Sequence, residues 1–123
     1  MNLKVKFPGG LRVDAEYGPF NIETDQTGSA PPPFALFLAS IGTCAGIYVL
    51  NFCKSRNLST EGLEINQNMD VDSSTRMIKN IILEIKLPDT FPEKYTSAVI
   101  RSAEQCAVKK HLVSPPDFTI VTS

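Results

Sequence analysis

The chain has 123 residues, 42% of them hydrophobic and 20% charged, a length that suits one small domain with a modest core that a second subunit could complete. Twelve basic residues against thirteen acidic ones leave a net charge of −1 with no block of like charge, which argues against nucleic acid as a partner. Three cysteines, an odd count, without an export signal in the opening MNLKVKFPGG, argue against a disulfide framework and fit a reducing cytoplasm in which thiols stay free for chemistry.

Leu3, Val5 and Phe7 alternate with Asn2, Lys4 and Lys6; Pro8-Gly9-Gly10 then offers a turn, and Leu11, Val13 and Ala15 alternate with Arg12, Asp14 and Glu16. Period-two patterning on both sides of a turn predicts a β-hairpin. After Gly18-Pro19, Phe20 and Ile22 predict a third short strand, and DQTGSAPPP (Asp25 to Pro33) has the composition of a loop. Proline is tolerated only before or in the first turn of a helix, so a helix is expected to start near Pro33. Lys54 and Arg56 suit the carbonyl end of the dipole and Asn57 the left-handed stop, which sets the first helix at about 33 to 56.

From Phe34 to Cys53 this helix carries no charge. About 20 apolar residues are enough to cross a bilayer. Yet Ser40, Gly42, Thr43, Cys44, Gly46 and Asn51 make the stretch partly polar, and neither a second span nor a one-sided basic flank accompanies it, so a core helix and no membrane are expected. Residues 62 to 71 and 77 to 87 form two alternating runs around DVDSST, a second hairpin. Thr90-Phe91-Pro92-Glu93 has the form of a capping box, and Tyr95, Val99, Ala103 and Cys106 recur at helical spacing, predicting a second helix from about 91 to 111. Beyond Pro115-Pro116, Phe118, Ile120 and Val121 suggest a last strand. The order βββ-α-ββ-α-β is α+β with mostly antiparallel pairing, in a single domain over 1–123.

Cys44 lies mid-helix with Phe37, Ser40, Ile41, Ile47, Tyr48 and Asn51 on its face, whereas Cys53 is half a turn out of phase and reads as a small buried hydrophobe. Gly42 and Gly46 bracket Cys44 as G-x-x-x-G, which either permits tight packing or leaves the thiol uncovered for a ligand. Cys106 lies on the inward stripe of the second helix. It is either core packing or, if the two helices face each other, within the roughly 4.4 to 6.8 Å Cα separation that a disulfide with Cys44 needs, as one half of a redox couple.

The string PPPFALFLASIGTCAGI, with Pro33, Leu36, Gly42, Cys44 and Gly46, followed by SAEQCAVKKHL around Cys106, resembles the OsmC/Ohr family. With LRVDAEYGPFNIETD early in the chain, the likeness to the small-domain OsmC-like branch covers nearly the full length. The resemblance implies an intertwined homodimer whose two long central helices pack inside sheets contributed by both chains, with active sites at the subunit interface. An uncharged helix then needs no lipid, because a dimer covers it. The resemblance also assigns roles: Cys44 as the thiolate that attacks a small organic hydroperoxide, Cys106 as the thiol that closes a disulfide, and an external dithiol as reductant. An arginine from the amino-terminal strands assists in the family, and Arg12 is the match, since Arg56, Arg76 and Arg101 lie at a helix end, a turn and an outer face.

One departure stands out. The family's carboxylate nine or ten residues before the first cysteine is replaced by Phe34 and Ala35, with no Asp or Glu between Asp25 and Glu61. Either Asp14, Glu16 or Glu23 substitutes, or the site has diverged toward another ligand. The expected function is a thiol peroxidase of oxidative-stress protection. The alternative is a dimer that binds or senses an apolar electrophile or lipid-like ligand without rapid turnover. No cofactor or metal is expected, since His111 is the only histidine and there is no Cys-x-x-Cys, His-Glu-x-x-His or phosphate loop.

Overall fold

A computed structural model describes residues 1–123. Its elements run β1 (Lys4–Gly9), β2 (Arg12–Tyr17), β3 (Phe20–Asp25), α1 (Pro33–Ser55), β4 (Glu64–Val71), β5 (Ile78–Lys86), one 3-10 turn (Glu93–Tyr95), α2 (Thr96–Ala103) and α3 (Ala107–Val113). Two compact units divide the chain, Met1–Ala39 and Ser40–Ser123, with the boundary inside α1.

The amino-terminal unit holds an antiparallel meander in the order β1-β2-β3. Val5 pairs with Ala15 and Ala15 with Ile22, while Lys6 pairs with Asp14 and Asp14 with Glu23, so the period of two puts apolar side chains on one face and charges on the other. The pairing of β1 with β2 shifts between Lys6 and Gly9, around Pro8, which has no N–H to contribute. Much of the apolar face is exposed, including Val5, Phe7 and Phe20. Asp25 closes the unit's loop: its carboxylate accepts hydrogen bonds from Ser29 Oγ, from Thr27 N–H at 2.9 Å and from Thr27 Oγ at 2.8 Å. These donors, Ser29 first, hold the Asp25 pKa down at about 2.

α1 starts at Pro33 as the proline rule requires and ends where Asn57 turns left-handed at φ 54°, with Leu58 N–H donating to the Cys53 carbonyl at 2.9 Å. In the second unit, Val49, Phe52 and Cys53 of α1 are buried with Val99 of α2, packed by Leu63, Ile65, Ile85 and Leu87 from the β4-β5 region. Arg56 stacks over Phe52 at 3.8 Å, and Phe52 meets Tyr95 edge to face at 5.8 Å. By length and composition alone α1 would suffice to cross a membrane; its carboxyl-terminal half packs into this protein core instead. β4 and β5 pair antiparallel, aligning Ile65 with Ile85, Gln67 with Leu83 and Met69 with Ile81 on one face. Their turn is fastened by Asp72, whose Oδ1 accepts from Ser74 Oγ at 2.6 Å and from the N–H groups of Ser74 and Thr75 at 2.9 and 3.0 Å.

The α+β class and the antiparallel pairing agree with the sequence pattern, but two elements differ. The second helix is not continuous over 91 to 111. α2 tightens at its end, where Gln105 N–H reaches Ser102 O at 3.1 Å and Cys106 N–H reaches Ala103 O at 3.4 Å, and α3 restarts at Ala107. The pair of long helices is thus one long helix and two short ones. The expected last strand is absent: 114–123 carries no regular structure, and Phe118, Ile120 and Val121 are more than 80% exposed. A strand exists by pairing, and no strand of this chain pairs with that segment.

Candidate active site

The break between α2 and α3 is what builds the site. Cys106 leaves the helical stripe and becomes the N-cap of α3, with extended backbone at ψ 120° and its Sγ accepting from Lys109 N–H at 3.4 Å. The side chain is buried at 2% exposure and also approaches the Ile41 carbonyl at 3.9 Å, one helical turn before Cys44. Cys44 is half-exposed, and all three cysteines are free thiols.

Cys44 and Cys106 are brought together, and their environments pull them apart electrostatically. The Cys44 pKa is lowered, first by a hydrogen bond from Val108 N–H; burial, next in size, opposes this, and the Cys106 thiol and Ala107 N–H add to the lowering. The Cys106 pKa is raised, first by burial and also by its hydrogen bond to Cys44 and the charge there, against the N–H of Lys109. One sulfur is thereby favoured as thiolate and the other as thiol. The single Cys106 proton has two acceptors, Ile41 O and the Cys44 sulfur, and an ionised Cys44 makes the stronger, charge-assisted bond. The amides of residues 107 to 109 that arrange this are backbone groups, invisible to a search for reactive side chains.

Cys53 is fully buried in the core, and burial raises its pKa. Gly42 packs against β4: a Cβ there would lie 2.5 Å from Gln67 Oε1, so the glycine admits the one polar side chain of that apolar strand face. Gly46 only meets Ile65 at ordinary contact distance. The G-x-x-x-G spacing therefore serves packing in part, at its first glycine. Beside Cys106 a cavity of about 590 Å³ opens, walled by Ile41, Ile81, Leu83, Ile85, Ile100 and Leu112, with Glu104 and Lys109 as its charged members. Cys106 lies in its wall; Cys44 does not.

Arg12 belongs to the amino-terminal unit. Its Nη2 is 2.6 Å from Asp14 Oδ2 and 3.3 Å from Glu23 Oε1. Asp14 is buried and also accepts from Asn21 Nδ2 at 3.1 Å, and these bonds, Asn21 first, lower its pKa. Two of the three carboxylates that stood as substitutes for the missing helix carboxylate therefore hold Arg12. Glu16 does not, being paired with Lys6 at 2.5 Å. No three His, Cys, Asp or Glu side chains converge where a metal ion could be held.

The fold has solved counterparts. It is similar to a candidate osmotic stress induced and detoxification response protein from Psychrobacter arcticus 273-4 (TM-score 0.74, 19% identity, covering 89% of this chain and 86% of that one). It is also similar to an OsmC-like protein from Mycoplasma pneumoniae (0.73, 13%, 93% and 87%). The organic hydroperoxide resistance protein OhrB of Bacillus subtilis is a further counterpart (0.54, 17%, 90% and 90%). No curated protein shows significant sequence similarity to the chain. The sequence profile of OsmC-like proteins matches residues 26–121, a span that holds α1, both hairpin strands β4 and β5, and the two cysteines of the site. By that match the chain belongs to the OsmC-like protein family.

Proposed function

We propose that the protein is a cysteine-based thiol peroxidase acting on organic hydroperoxides, and the observation that carries this reading is the contact of Cys44 and Cys106 with opposite pKa shifts. The Cys44 thiolate attacks the distal peroxide oxygen and the O–O bond breaks. The alkoxide takes a proton and leaves as an alcohol, and Cys44 becomes a sulfenic acid. The Cys106 thiol attacks that sulfur, a disulfide forms and water leaves. An external dithiol restores both thiols by exchange and is itself oxidised to a disulfide. Backbone N–H groups at Val108 and Ala107 stabilise the attacking thiolate. Arg12, steadied by Asp14 and Glu23, is assigned to the peroxide oxygens as a rigid fork of donors.

The apolar cavity at Cys106 supports a hydrophobic organic group on the peroxide. A homodimer is part of the reading: Phe34 and Ile47 on α1, and Val5, Phe7 and Phe20 on the amino-terminal sheet, are apolar side chains left open to solvent in one chain. Cytoplasmic residence follows from the dependence on free thiols.

That the cavity touches Cys106 and not Cys44 favours one other reading, a dimer that holds an apolar electrophile without turnover. Peptide mapping of the reduced protein before and after one equivalent of cumene hydroperoxide separates them. A rapid Cys44–Cys106 disulfide with Cys53 free is the expected result. Thiols that stay reduced for minutes would leave only the binding reading.

A further inference from the structure

Cys106 has a second task that the redox reading leaves unused: it is the cap on which α3 starts. A helix of this length is marginal alone and depends on its cap and its packing. The amides of one short segment are shared between the two sulfurs, Ala107 and Val108 donating to Cys44 and Lys109 to Cys106. Cys44 is fixed in the middle of α1, whereas Cys106 sits in the non-helical joint between α2 and α3. When the sulfurs close from hydrogen-bonding separation to a covalent bond, the joint is the part free to move.

We propose that formation of the Cys44–Cys106 disulfide withdraws the N-cap of α3, so that residues 107 to 113 loosen in the oxidised protein and expose the otherwise buried Cys106 side of the bond to the external dithiol. This rests on the redox reading above. Three changes act together. The Cys106 sulfur moves off the Lys109 N–H; it loses the proton it offered to Ile41 O; and Cys44 loses the anionic character that attracted the N–H groups of Ala107 and Val108. Each leaves α3 less firmly held. The device bears on which sulfur an incoming dithiol attacks, since Cys44 is half-exposed already, whereas Cys106 at 2% exposure offers little surface until α3 loosens. The segment 114–123, already without regular structure, follows α3 and adds no restraint.

Amide hydrogen exchange on the full chain tests this, comparing reduced protein with protein oxidised by one equivalent of cumene hydroperoxide and confirmed as disulfide by peptide mass. The amides of Lys109 to Val113 are expected to exchange roughly fivefold to tenfold faster when oxidised, the size of a lost cap, with α1 unchanged. Cys106→Ser keeps a capping oxygen and is expected to stay slow with or without peroxide. Cys106→Ala is expected to be fast in both. Should the disulfide form while α3 exchange stays the same, the switch is wrong and the peroxidase reading stands. Should no disulfide form, both fall. Equal exchange in Cys106→Ser and Cys106→Ala would overturn the capping role whatever the redox chemistry.

Discussion

Cys53 provides the sharpest separation of packing from chemistry. Its side chain is fully buried among Val49, Phe52 and Val99, with no polar side chain in that cluster. Cys53→Ala removes one buried heavy atom, a transfer loss of about 0.8 kcal/mol for a group of methylene size. The cavity left, roughly 25 Å³, adds about 0.6 kcal/mol at about 24 cal/mol per Å³. The sum is about 1.4 kcal/mol, which for a chain of this length lowers Tm by roughly 5 to 8 °C. Cys53→Ser keeps the volume but buries a hydroxyl among apolar side chains, costing about 1 to 3 kcal/mol. Thermal melts at fixed protein concentration measure both, since a dimer makes Tm concentration-dependent. Folded Cys53→Ala should still form the Cys44–Cys106 disulfide at the wild-type rate. The reasoning fails if either variant melts within 1 °C of wild type, or if the folded alanine variant no longer forms the bond.

Three further expectations concern the site and its supports. Iodoacetamide alkylation followed against pH should place the Cys44 inflection below the ordinary thiol range and ahead of Cys106; Cys106→Ala should move it upward by removing the donor thiol and the cap that aims Val108 N–H, and an unmoved inflection would contradict the assigned cause. Arg12→Gln should slow peroxide-driven disulfide formation more than about tenfold, and Arg12→Lys should not restore it, because one ammonium cannot meet Asp14 and Glu23 while presenting further donors; quenched-flow rates equal to wild type would remove Arg12 from the mechanism. Asp25 titrates near 2 when folded against about 3.9 unfolded, so the stability it contributes is complete above about pH 4 and is lost as pH falls toward 2. The Tm gap between wild type and Asp25→Asn should be constant from neutral pH to about 4 and then close, and a gap that persisted at pH 2 would show that Asp25 is not the titrating group.

Local pattern carried the early part of the fold. Alternation in KVKF and RVDAEY, the proline run before Pro33 and the stop at Asn57 each report a preference that the structure satisfies within a residue or two. The break after α2 was not legible. Val99, Ala103 and Cys106 keep helical spacing across it, no glycine or proline marks it, and a cysteine cap falls outside the usual Ser, Thr, Asp and Asn signal. The last strand is absent for a different reason: DFTIVTS has strand composition, but pairing depends on an edge elsewhere and composition cannot supply it. In the site, the proximity of Cys44 and Cys106 could be posed from two stripes, while the amides of residues 107 to 109 that polarise the pair follow from the break itself. Asp14 was within reach of the pattern, since positions two apart on a strand share a face.

The irregular pairing around Pro8 affects how the molecule behaves in company. β1 lies at the edge of its sheet, where unpaired backbone groups invite another chain to add a strand. The bulge between Lys6 and Gly9 distorts the register, Pro8 withholds an amide, and Lys4 and Lys6 line the strand with charge. Together they blunt that edge as a template. A sheet with so much apolar surface on one face is thereby less open to indiscriminate strand addition along β1 at the concentrations a crowded cell imposes.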